Sequence, residues 1–131
     1  MERTGAIIVD ELLDLEVEPR LLPVYDQKIG LRLLHEDPAS GEEHYLVRYP
    51  GGLKARWHRH TAAHTIVVLE GRLEANGRTV GPGAYCHFPG GVPMHHANAG
   101  DEPCVFVILF HGPFDLEAVD APDEADRTPR R

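Results

Sequence analysis

Gly52-Leu53-Lys54-Ala55-Arg56-Trp57-His58-Arg59-His60-Thr61-Ala62-Ala63-His64 carries three histidines within seven residues. Successive side chains of an extended segment alternate between its two faces, so His58 and His60 share one face and Arg59 takes the other. If that face looks into a barrel, the pair forms a chelate. Neutral imidazole is the commonest protein ligand for iron, manganese, nickel, copper and zinc. A third histidine after a short turn, His64, completes a set on one side of a metal and leaves positions open for substrate. The competing reading makes Lys54–His60 a basic surface patch that binds an anion.

Working outward, turn formers separate short apolar runs along the whole chain. Glycine (13) and proline (11) are spread as punctuation and do not gather in one linker. Runs rich in Val, Ile, Tyr and Phe predict strands at Ala6–Val9, Lys28–His35, His44–Arg48, His64–Leu69, Arg72–Ala75, Ala84–Phe88, His95–Ala97 and Cys104–Phe110. Asn76-Gly77, between Leu73-Glu74-Ala75 and Arg78-Thr79-Val80, predicts a tight hairpin, because both residues accept positive φ. Asp10–Leu15 is too short to establish a period and stays open between a short helix and an edge strand. After Phe114 the chain turns acidic and poor in bulky apolar residues. The expected organisation is an acidic N-terminal arm over 1–20, a β-barrel over 21–114 and a flexible acidic tail over 115–131.

Composition bounds the function classes. The chain has 131 residues, 13 Lys+Arg against 21 Asp+Glu, and a formal charge of −8 with histidine neutral. That length suits one domain. The acidic balance offers no general attraction to nucleic acid or to anionic membranes. No apolar run approaches the ~20 residues of a membrane span, and residues 1–20 are too acidic for an export signal. Two cysteines, Cys86 and Cys104, cannot build a disulfide framework, and a reduced, cytoplasmic chain is expected. Both lie in apolar strands and read as buried, inert thiols.

The spacing then resembles a known signature. The first motif of the cupin superfamily is a glycine, five residues, HXH, three or four residues, a glutamate, six residues and a glycine. Gly52, His58, His60, His64 and Gly71 fall at those intervals, with His64 where the family has glutamate. The second motif is matched by Gly83, Pro89, Gly91 and Asn98. The resemblance covers about residues 44–110 and implies an all-β fold, a single-domain cupin-type jelly-roll barrel.

Two departures shape the expected site. An HxHxxxH arrangement resembles the minority of small cupins with all-histidine sites, including iron dioxygenases that cleave β-diketones or oxidise thiols. Without the carboxylate, the site keeps the full dipositive charge of its metal and favours an anionic, chelating ligand. In the second motif Met94 stands where the family has its fourth ligand, and thioether sulfur is a poor ligand for a hard or borderline cation. Strand alternation puts His96 on the face of Met94, whereas His95 reaches inward only through a one-residue bulge. The expected metal ligands are therefore His58, His60, His64 and His96, with His95 as the alternate to His96. Fe(II) is the first expected metal and Mn(II) the second, with Zn and Ni also compatible.

The remaining residues have plainer roles. Trp57 reads as core or rim packing, Tyr85, His87, Phe106, Ile108 and Phe110 as mostly barrel filling with some lining the cavity, and Glu70 as a strand end. His35, His44 and His111 read as lying away from the metal. No general acid or base stands out. The resemblance thus implies a dioxygenase-type oxidoreductase acting with O₂ on a small anionic substrate. A non-catalytic sensor that binds metal or a small ligand is the alternative, followed by a metal-free sugar isomerase. Family habit adds a homodimer, formed through an N-terminal edge strand such as Ala6–Val9.

Overall fold

The computed structural model describes residues 5–121. A single 3-10 turn, Leu12–Asp14, settles the Asp10–Leu15 ambiguity in favour of a helical turn, and strands make up the other regular elements described. In chain order these are β1 (Glu18–Arg20), β2 (Ile29–Asp37), β3 (Glu42–Tyr49), β4 (His58–Arg59), β5 (His64–Glu70), β6 (Leu73–Ala75), β7 (Arg78–Val80), β8 (Tyr85–Phe88), β9 (His96–Ala97), β10 (Cys104–Phe110) and β11 (Glu117–Ala118). They form a six-stranded antiparallel sheet in the order β1-β2-β3-β10-β5-β8, a three-stranded sheet β7-β6-β9 and a two-stranded ribbon β11-β4. This is the all-β jelly roll expected. Among the described residues no helix is long and apolar enough to cross a membrane.

The large sheet is organised in rows of side chains. Phe106 of β10 lies opposite Val47 of β3 and Val68 of β5, and one step along, Ile108 lies opposite Tyr45 and Ile66. The third row sets Phe110 opposite His64, which is itself opposite Phe88. Alternation thus puts one row of aromatic and aliphatic side chains after another on the inner face, and delivers His64 to the same face. Leu73 and Met94 close the core from the smaller sheet's side, and both are buried. Both thiols are free; Cys104 is buried as the sequence reading has it, whereas Cys86 is only half-buried.

Asn76 and Gly77 carry φ of 50° and 83°, which is the primed turn their identities predict. Gly71 has φ of +80°, and a Cβ there would run into the Pro103 carbonyl oxygen and the Cys104 backbone. Gly71→Ala is therefore expected to cost at least about 2 kcal/mol, read as a lower urea midpoint at unchanged slope. Wild-type stability in the variant would show that the β5–β6 corner tolerates a side chain.

Two expectations need correction. Ala6–Val9 forms no strand; the ladder beside β2 is taken by β1, so the proposed dimer contact loses its edge strand. The barrel also continues past 114. β11 pairs with β4, setting Glu117 opposite Arg59 and Ala118 opposite His58, and the Val119 N–H donates to the Trp57 carbonyl at 3.0 Å. Backbone pairing, which does not need apolar side chains, holds this acidic segment on the barrel. The part of the predicted tail beyond residue 121 lies outside the described residues.

Candidate metal centre

Backbone hydrogen bonds place the first two histidines. The His58 N–H donates to the Met94 carbonyl at 2.9 Å, the Met94 N–H returns the bond at 2.7 Å, and the Gly91 N–H donates to the His60 carbonyl at 2.7 Å. The two motif segments are thereby laced together, with His58 and His60 turned inward and Arg59 outward. Met94 is 2% exposed and fills the core; His96, two residues on, is equally buried and points at the histidines. The four rings form a closed circuit. Centroid separations are 5.1 Å for His58–His60, 4.7 Å for His60–His64, 5.8 Å for His64–His96 and 5.4 Å for His58–His96.

Hydrogen bonds on the outer nitrogens orient three of these rings. His58 Nδ1 donates to the Arg56 carbonyl at 3.0 Å, and His60 Nδ1 donates to the Asp115 carbonyl. His96 Nδ1 lies 2.5 Å from the Tyr49 hydroxyl. A proton on Nδ1 leaves the lone pair on Nε2, which is how metal-binding imidazoles are usually tuned. His64 differs: neither of its nitrogens has a partner, and its ring is held by stacking on Phe88 at 4.9 Å and by Phe110 at 5.4 Å. Among the described residues, the buried side-chain atoms left without a hydrogen bond are His58 Nε2, His96 Nε2 and both nitrogens of His64. Orphaned polar atoms in a packed core are costly unless something binds them.

Among the described residues, no group of three or more His, Cys, Asp or Glu side chains stands in a ready-made metal-holding arrangement. The fit of a metal therefore rests on the aimed, unpartnered ring nitrogens and on a donor set suited to a first-row cation. Protonation state agrees with this use. Burial pushes His58 down to about 4 and His64 to about 3, lowers His60, and holds His96 well below its usual value. The neighbouring imidazoles push His58, His64 and His96 the same way. All four are neutral at ordinary pH, as ligands must be.

His95 is turned away from this cluster. Its Nε2 donates to the Ala55 carbonyl at 3.0 Å, its Nδ1 lies 3.5 Å from Glu74, and its ring sits 5.5 Å from Trp57. No bulge carries it inward, because β9 pairs regularly with β6. His87 and His111 share the Thr65 hydroxyl, at 3.0 and 2.8 Å, on the outer face, where Tyr85 is also exposed. His35 and His44 stand side by side there, half-buried, with His44 bonded to Glu42 at 2.9 Å. Glu70 is exposed at the end of β5.

Three residues that support the site have no local signature in the sequence. Asp115 holds His60 through its carbonyl, while its carboxylate accepts from the Thr61 N–H at 2.6 Å and from the Thr61 hydroxyl. Those two bonds hold the Asp115 carboxyl below its usual range. Tyr49 and Tyr25 form a chain behind His96, with their hydroxyls 2.6 Å apart. His58, His60 and His96 line a cavity of about 90 Å³ whose walls also include Leu31, Val47, Phe106, Ile108 and Phe114. Among the described residues no Lys, Arg, Asp or Glu lines it.

A jelly roll that gathers four imidazoles beside a small apolar cavity is the architecture these elements build. The family model described as "Cupin domain" (Cupin_2) matches residues 45–110, half of the chain, and the chain belongs to this family. Solved structures agree on the fold. A cupin-like protein from Thermotoga maritima is 19% identical, with 86% of this chain and 92% of that one covered and a TM-score of 0.70. An acetylacetone dioxygenase from Acinetobacter johnsonii is 20% identical over 92% of this chain and 83% of that one, at 0.70. A polyketide cyclase from Streptomyces resistomycificus is 20% identical over 91% and 89%, at 0.68. Among curated proteins none matches the chain.

Proposed function

We propose that this cupin holds a divalent transition metal on His58, His60, His64 and His96, Fe(II) first and Mn(II) second. Acting as a dioxygenase, it would oxidise a small chelating organic anion with O₂. The observation that carries the reading is the circuit of four buried imidazoles, in which His58, His64 and His96 keep unpartnered ring nitrogens and His58, His60 and His96 line one cavity. When bound, such a metal supplies Lewis acidity toward a chelating anion and the redox couple for oxygen.

The chain's own residues do the rest. Four neutral ligands leave the dipositive charge uncancelled, and the walls add no cation, so the metal is the counter-charge for a substrate anion. A highly charged or sugar-like substrate has too few polar partners here. A cavity of about 90 Å³ has room for the liquid share of about three waters, or for a small organic molecule. The apolar walls keep water from competing for the centre. A β-dicarbonyl enolate fits size, charge and polarity together.

The test is oxygen uptake by Fe(II)-loaded protein with 2,4-pentanedione, a small thiol and a flavonol. Oxygen consumption matched by loss of the diketone is expected. Silence across the panel at full metal loading would overturn the enzymatic reading in favour of a metal- or ligand-binding cupin.

A further inference from the structure

Most of the polar groups on the cavity wall besides the histidines are already committed. The Tyr45 hydroxyl donates to Glu43 at 2.9 Å. Tyr49 lies between two partners, His96 Nδ1 at 2.5 Å and the Tyr25 hydroxyl at 2.6 Å. Tyr25, bridged through its backbone to Ala55, ends the chain and lines the cavity.

The direction of this chain follows from proton counting. A His96 that presents Nε2 to a metal keeps its proton on Nδ1 and donates it to the Tyr49 oxygen. The single Tyr49 proton then points to the Tyr25 oxygen. Tyr25 accepts, and its own proton meets no further acceptor among the described residues. The spare donor therefore sits at the cavity end of the chain, in walls that are otherwise apolar.

We infer that the Tyr25 hydroxyl donates a hydrogen bond to an oxygen of the bound substrate, with Tyr49 as the positioning residue that fixes its direction. The inference rests on the four-histidine reading above. It narrows the substrate class to oxygen chelators of the β-dicarbonyl kind over thiols, because sulfur is the weaker acceptor. It also links ligand and substrate, since one relay touches both His96 and the bound molecule.

Zn(II)-loaded protein, which cannot turn over, allows binding to be measured alone. Titration calorimetry with 2,4-pentanedione and with a small thiol is compared for wild type, Tyr25→Phe and Tyr49→Phe. Tyr25→Phe is expected to bind the diketone about 10-fold more weakly, with thiol and zinc affinity within about twofold of wild type. Tyr49→Phe is expected to lose diketone affinity and also about 10-fold or more in zinc affinity, because His96 loses its partner. Diketone binding by Tyr25→Phe at wild-type strength, or an equal loss for the thiol, would overturn the inference and leave the metal centre standing. A wild type that takes up no zinc would bring down the four-histidine reading itself, and this inference with it. If Tyr25→Phe does not fold, Tyr49→Phe decides: unchanged diketone affinity at the zinc-loaded site overturns the relay.

Discussion

His64→Ala is expected to strip the protein of metal. Wild type purified without a histidine tag should carry close to one equivalent of divalent metal by plasma mass spectrometry, and His64→Ala, His58→Ala and His96→Ala little. Loss of an outer partner of a ligand commonly costs about 10–100-fold in affinity, so loss of a ligand should exceed about 100-fold in a chelator competition. His95→Ala is the contrast. Its imidazole is spent on the Ala55 carbonyl and lies beside Trp57, so its metal content should match wild type. Retention of metal by His64→Ala together with loss in His95→Ala would exchange the assigned roles and refute the geometry.

The second large effect is acid sensitivity of the metal-free protein. Burial holds His58 at about 4 and His64 at about 3, below the ~6.5 of an unfolded chain. Between those limits the unfolded chain takes up protons that the folded barrel refuses. Stability is therefore untouched by these groups above about pH 6.5, and falls as pH drops from there toward 4. His60 and His96, also lowered, pull in the same direction. The loss from His58 and His64 together is on the order of 5 kcal/mol by about pH 4, a large part of the 5–15 kcal/mol that holds a typical domain together. Urea midpoints of chelated protein between about pH 7.5 and pH 4.5 should show it. Saturating Zn(II) should move the decline to lower pH, because the metal binds the neutral rings of the folded state. His64→Leu should make the slope shallower. A flat midpoint across that range would mean the cluster is hydrated and far less buried than the geometry says.

What could be read ahead of the structure was whatever repeats at the period of a strand. Cys104–Phe110 alternates large apolar residues on a fixed face, and its bounds coincide with β10. The Asn76-Gly77 turn and the HxH pair followed from local rules of the same kind. That His96 and not His95 lies among the other histidines followed too, because alternation from Met94 holds through β9. The failures share a cause as well. Ala6–Val9 has strand-like composition, yet a strand needs an open ladder, and β1 takes the place beside β2. Asp115–Ala118 has the composition of a solvated tail, but its backbone pairs with β4, which no side-chain pattern announces. The Tyr25–Tyr49–His96 chain joins positions 24 and 47 residues apart, so no window along the sequence contains it.

Asp115 also separates two lengths of this chain. A protein cut just after β10 would keep all four imidazoles and the whole ladder of the large sheet. It would lose the carbonyl that tells His60 which nitrogen to present, and the ribbon that braces β4. The shortest piece that contains the four imidazoles is therefore shorter than the shortest piece that orients them. A transplant of the histidine motif into another barrel would have to bring along a few residues from beyond its last long strand.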